Sequence, residues 1–241
     1  MPSRHNFQGL KNFATKKYKF KQEYSIGALR PGNSLMGDSI GPVELSPDEF
    51  NEIKRGVCAA LAAAWVEEQR NPPQRPQFAG AVPGDVHVTR NRDTVLDVLP
   101  KFHKYVQAGP NGSVLDEFGF EKLTRNPSGV MVTAYSPTTC GPVATPAPSL
   151  EKACSPEFLK PGRAVFVEFS VWPAAPGKQP GRHAVAAFRS LNGALYFFDP
   201  NCGVYAVNDE RNFFGEYVKC YASVKYEIQF NLRDGFTYID K

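Results

Sequence analysis

Gly56-Val57-Cys58-Ala59-Ala60-Leu61-Ala62-Ala63-Ala64-Trp65 is the stretch whose reading decides the fold. Ala and Leu are strong helix formers and glycine is a weak one, so the run predicts a helix that starts or restarts just after Gly56. Cys58 then lies in the first turn of a buried helix. The aligned peptide dipoles put partial positive charge there, which favours thiolate over thiol, and the thiolate is the nucleophile. A single cysteine in an apolar helix is more often plain core. A catalytic reading therefore needs a base and an orienting carboxylate elsewhere in the chain.

Upstream, Ser46-Pro47-Asp48-Glu49 is a helix start: Ser46 caps, Pro47 suits the first helical position and Glu49 completes a capping box. Phe50, Ile53, Val57 and Leu61 follow at helical spacing, with a break expected at Gly56. Residues 1–45 read as a loosely ordered basic arm, in which Lys11, Lys16, Lys17, Lys19 and Lys21 alternate with Phe13, Tyr18 and Phe20. A solvated arm is the plainer reading, and weak membrane-surface association is the functional one. Residues 46–241 read as one folded domain.

Downstream, Pro72-Pro73 ends the first helical region. Residues 93–107 are amphipathic with Pro100 inside, which predicts a kinked or split helix. Residues 130–135 read as a strand, 142–148 as a loop and 150–159 as a short helix. The last third changes character. Residues 163–171 alternate and are rich in β formers, 183–189, 194–198 and 203–207 read as three more strands, and Asn192-Gly193 between two apolar runs is a hairpin signal. Residues 208–219 predict a helix and 221–232 a long final strand. The fold class is α+β, a helical N-terminal half packed on a C-terminal antiparallel sheet.

The totals narrow the function. The chain has 241 residues, 42% hydrophobic and 22% charged, enough for a real core. A net charge of +4, scattered and without a module signature, does not argue for a nucleic-acid partner. No window is long and apolar enough to span a membrane, and the N-terminus lacks the apolar core of a secretory signal. The cysteines at 58, 140, 154, 202 and 220 are odd in number and form no C-x-x-C pair. They read as reduced thiols, not a disulfide framework or a metal site, and no cofactor is expected.

The base is sought among His5, His87, His103 and His183. His5 lies in the arm, His87 reads as loop or short strand, and His103 reads as a surface residue. His183 differs, because it opens a strand directly after the turn Gln179-Pro180-Gly181-Arg182, where a side chain is held rigidly beside a cleft. Asp199 follows in Tyr196-Phe197-Phe198-Asp199-Pro200-Asn201. Across the predicted hairpin, His183 and Asp199 fall near the ends of adjacent strands at one edge of the sheet. Cys58 as nucleophile, His183 as general base and acid, and Asp199 orienting the imidazole make a coherent set.

Three motifs in this order resemble those of the YopT/AvrPphB-type papain-like cysteine peptidases: Gly-x-Cys-x-x-Leu-x-x-x-Trp at 56–65, His-Ala at 183–184, and Tyr-Phe-Phe-Asp-Pro-Asn-x-Gly at 196–203. The resemblance implies a papain-like fold over roughly residues 46–232, with Cys58, His183 and Asp199 as the triad. It implies a bacterial effector, secreted without a cleaved signal peptide, that acts in the host cytoplasm on a host protein or on itself. One departure stands out. Such enzymes carry an Asn or Gln a few residues before the cysteine as an oxyanion donor. Here Ile53 and Glu52 stand five and six positions back, so Asn51 or backbone amides at Cys58 would serve. A glutamine deamidase would use the same three residues. A binding module with a decayed site is the non-enzymatic alternative.

Overall fold

The computed structural model describes residues 7–20, 22, 46–48, 53, 57–71, 78, 86–109, 113–120, 124–125, 146–172, 181–222, 227–230 and 236–239. After a short 3-10 turn at Gln8–Asn12, strand β1 spans Ala14–Tyr18. Helices α1 (Cys58–Arg70), α2 (Val86–Gln107) and α3 (Val114–Glu117) follow, then β2 (Thr124–Arg125) and α4 (Pro146–Cys154). The sheet-rich part comprises β3 (Ala164–Trp172), β4 (Gly181–Arg189), β5 (Leu195–Asp199), β6 (Gly203–Val207), β7 (Glu227–Phe230) and β8 (Phe236–Ile239). Helix α5 (Glu210–Ala222) lies between β6 and β7.

The fold is α+β. The strands form one antiparallel sheet in the order β1-β6-β5-β4-β3-β8-β2, with β7 paired to the second half of β3. At its centre the alanine-rich β4 lies between β3 and β5, which carry the β-branched and aromatic residues. Helix α1 packs on one face together with α2 and α3, and α4 and α5 pack on the other. The two-residue strand period sorts side chains between them. Phe166, Ala184, Ala186 and Phe198 join Leu61 and Trp65 in one apolar layer. Val165, Val167, Phe169, Val185 and Phe197 join Phe213, Phe214 and Tyr217 in the other.

Each neighbouring pair in Phe197-Phe198-Asp199 therefore points opposite ways. Phe198 stacks on Trp65 at 5.6 Å between ring centroids, which seats α1 on the sheet. Phe197 meets Tyr217 edge to face at 4.9 Å, which seats α5 on the other side. Asp199 follows Phe197 onto the α5 face.

The Asn192-Gly193 turn links β4 to β5 as expected, with Gly193 at φ +86. Arg189, buried at the end of β4, ties this hairpin to two helices. Its guanidinium donates to the main-chain carbonyls of Cys154 at the end of α4, Leu159 and Gly193, and pairs with Glu210 at the start of α5.

Several elements differ from expectation. Residues 7–20, expected to be part of a loose arm, belong to the fold: β1 is an edge strand on β6, and Leu10, Ala14, Tyr18 and Phe20 are buried. Helix α2 begins at Val86, so His87 is helical, and α2 runs on through Pro100 to Gln107. Helix α4 starts at Pro146, inside the expected loop. Within the long final strand expected at 221–232, residues 221–222 end α5 and only Glu227–Phe230 form a strand, β7. Gly56, Asn51 and the expected strand at 130–135 lie outside the described residues.

Candidate active site

Cys58 is the first residue of α1, so it sits in the first helical turn as the sequence predicts. Its N-cap residue, Val57, makes no side-chain capping bond. The helix is nearly all buried, and Cys58 itself is 7% exposed. Cys58 belongs to the apolar layer on the α1 side of the sheet.

His183 is the third residue of β4 and faces the α5 side, across from Phe169 on β3. Phe169 meets the imidazole edge-on at 5.3 Å. Tyr221 approaches it from α5, with ring centroids 6.1 Å apart. Asp199 ends β5, the next strand, where Ala186 pairs with Phe198. That register brings His183 and Asp199 onto one face, and His183 Nε2 lies 2.9 Å from Asp199 Oδ1. Residues 16 apart in sequence meet because the hairpin folds them back on each other.

The Cys58 side chain is within hydrogen-bonding reach of His183. Because Asp199 occupies Nε2, Nδ1 is the ring nitrogen left for the sulfur. The structure thus brings together Cys58, His183 and Asp199 from α1, β4 and β5. His103 lies half-buried on α2 and is not part of this group.

The electrostatics follow from burial and pairing. Burial alone would depress the imidazole, but the Asp199 carboxylate overrides it and pushes His183 up to about 10. Burial would likewise raise Asp199, yet the charge and hydrogen bond of His183, the Asn201 N–H and the Tyr217 hydroxyl hold it below the ordinary carboxylate range. Asp199 is 0% exposed and fully partnered. Oδ1 accepts from His183 and from the Asn201 N–H at 2.7 Å. Oδ2 accepts from the hydroxyls of Tyr217 at 2.7 Å and Tyr221 at 2.9 Å. A buried carboxylate with such partners stays ionised and holds the imidazole in one orientation.

Burial pushes the other described thiols up: Cys154 and Cys202 well above the ordinary range and Cys220 to about 12. None of these three touches His183 in the contacts described.

Sequence reasoning missed four polar residues here. Tyr217 and Tyr221 are four apart on α5, so one helix face carries both, and that spacing was a readable signal. Tyr105 of α2 lies close enough to Cys58, Glu168 and Arg182 for their charges to act on it. Burial and the Glu168 carboxylate raise its phenol, and Arg182 opposes them. Gln22 carries no sequence signal. It reaches Asn201 from the N-terminal segment, with Nε2 2.8 Å from Asn201 Oδ1.

No protein-family model matches the chain, and no curated protein matches it. Among solved structures, the chain is similar to the Pseudomonas avirulence protein AvrPphB, with a TM-score of 0.47 and 13% identity over 78% of this chain and 92% of that one.

Proposed function

We propose that the chain is a papain-like cysteine peptidase whose nucleophile is Cys58, with His183 as general base and acid and Asp199 orienting it. One observation carries the reading: side chains 58, 183 and 199, from three elements, converge, with His183 Nε2 2.9 Å from Asp199 Oδ1 and Cys58 within hydrogen-bonding reach of the same imidazole.

In the reaction His183 holds the Cys58 proton on Nδ1 as an ion pair, and the thiolate attacks the carbonyl carbon of a peptide bond. The tetrahedral oxyanion is met by backbone N–H groups of the first turn of α1, which have no intrahelical acceptor. The imidazolium then gives its proton to the leaving amine, and a thioester to Cys58 remains. Water, deprotonated by His183, hydrolyses the thioester and restores the thiol. Throughout, Asp199 stays ionised and accepts from Nε2, so the imidazolium is stabilised without a second proton transfer. The order of the three motifs extends the proposal to an injected effector acting on host protein.

The test is incubation with host-cell lysate followed by proteomics of new N-termini, comparing wild type with Cys58→Ala. New N-termini that depend on Cys58 are the expected result. A one-dalton gain at a glutamine without cleavage would replace peptidase by deamidase. Identical lysates from both chains would sink both.

A further inference from the structure

The peptidase reading uses Asp199 but leaves unexplained why the turn after it is clamped by the distant N-terminal segment. Gln22 does the clamping. Its backbone N–H donates to the Pro200 carbonyl at 2.8 Å, and its Nε2 donates to Asn201 Oδ1 at 2.8 Å. Asn201 Nδ2 in turn donates to the Tyr221 hydroxyl at 3.4 Å and lies 3.3 Å from His183 Nε2. The Tyr221 hydroxyl donates to Asp199 Oδ2. The bonds run one way, from Gln22 through Asn201 and Tyr221 to the carboxylate.

Two features around Gln22 are independent of this chain of bonds. Its Oε1 is enclosed and accepts no hydrogen bond among the described residues, while the residue as a whole is 9% exposed. A buried acceptor without a donor lowers stability, so an apolar side chain of similar shape would suit the fold better. The segment carrying Gln22 is also anchored close to the turn. A Cβ on Gly203, which stands at φ +105, would overlap the Tyr18 carbonyl oxygen, and Phe20 packs on Phe198 at 5.9 Å. Glycine at 203 is what lets the N-terminal segment lie this near to Asp199.

We propose that Gln22 is a positioning residue of the site. It fixes the Asn201 carboxamide, and through it the His183 ring and the Tyr221 hydroxyl, so that imidazole and carboxylate stay aligned on Cys58. This rests on the peptidase reading and adds the N-terminal segment to its machinery.

The experiment measures alkylation of Cys58 by iodoacetamide against pH, read by mass spectrometry at each cysteine, beside thermal unfolding of the same full-length chains. The variants are Gln22→Met, Asn201→Ala and the double variant. Gln22→Met is expected to melt at or above the wild-type temperature and yet to slow Cys58 alkylation about tenfold, since small misplacements of a reacting pair cost that much or more. The double variant is expected to be no slower than Asn201→Ala alone, because the two residues act in series. Wild-type alkylation of Cys58 in Gln22→Met, or losses that add in the double variant, would overturn the role of Gln22 and leave the peptidase reading standing. Wild-type protein in which Cys58 reacts no faster than Cys154, Cys202 and Cys220 would overturn both.

Discussion

Asp199 is a charge without any contact with water, and its surroundings explain how it stays charged. Two phenols on successive turns of α5 share Oδ2, and a main-chain N–H and an imidazole share Oδ1. A hydrogen bond to a charged group contributes about 1.5–3 kcal/mol. Tyr217→Phe and Tyr221→Phe are each expected to lower stability by about that amount in chemical denaturation. Either change also weakens the hold on His183, so turnover falls as well as stability. Equal stability in all three proteins would show that the phenols do not support the carboxylate. The His183–Asp199 pair also predicts a pH dependence. His183 rises from 6.5 to about 10 on folding, so its stabilisation is complete below 6.5 and is lost as pH climbs through about 10. Asp199 falls below 3.8, so its stabilisation is present above 3.8 and is lost on acidification below it. The pair contributes most between 3.8 and 6.5. The difference in melting temperature between wild type and His183→Gln is therefore expected to be larger near about pH 5.5 than near about pH 9.5. A difference independent of pH would mean that the pair is not ionic.

At the scale of elements, the hairpin β4–β5 carries both residues of that pair, so whatever fixes the hairpin fixes the site. Arg189 does so from inside, joining it to the end of α4 and the start of α5. Arg189→Met removes the donors to three carbonyls, two of them bonded in the interior, and takes the partner from the half-exposed Glu210; each buried acceptor left unpaired costs about 1–3 kcal/mol. Arg189→Lys is expected to recover little, because one ammonium cannot reach the spread of acceptors that a planar guanidinium serves. Denaturant midpoints of the two variants decide this, and a lysine variant as stable as wild type would refute it. The same hairpin was the most legible part of the chain. Tyr196-Phe197-Phe198 in β5 are β formers and the turn is Asn-Gly, so there local preference and tertiary role agree, while the alanine-rich β4 is read through the turn that follows it. The end of α5 was not legible for the opposite reason. Tyr221 and its neighbours favour strands, but Tyr217 and Tyr221 must face the site together, and the helical period prevails over propensity. Strand β1 was hidden because only its ends, Ala14 and Tyr18, are buried, and a register shift between Lys16 and Tyr18 spoils the alternation. Of the site, Cys58, His183 and Asp199 were readable from residue type, helix start and hairpin. Gln22 was not, since its role exists only after residues far apart in sequence have packed.

For the whole molecule, the sheet is the wall between two apolar layers, and the N-terminal segment contributes to both. Leu10 and Ala14 lie in the layer under α5, and Tyr18 and Phe20 lie in the layer under α1. The segment enters the molecule along β6, whose other neighbour β5 ends at Asp199. Removing it would take buried side chains out of the layer on each side of the sheet and expose the edge of β6. Burying a large apolar side chain stabilises by about 1.5–3 kcal/mol, so losing Leu10, Tyr18 and Phe20 removes about 5–9 kcal/mol. Net stabilities of domains are about 5–15 kcal/mol, so a loss of this size takes away most of the margin. A chain shortened to residues 46–241 is therefore expected to lose the cooperative unfolding transition of the full-length protein. Differential scanning calorimetry of the two chains is the measurement. A sharp transition in the shortened chain, within a few degrees of full length, would mean that the first 45 residues are an appendage after all. It would also remove the physical basis for any influence of Gln22 on His183.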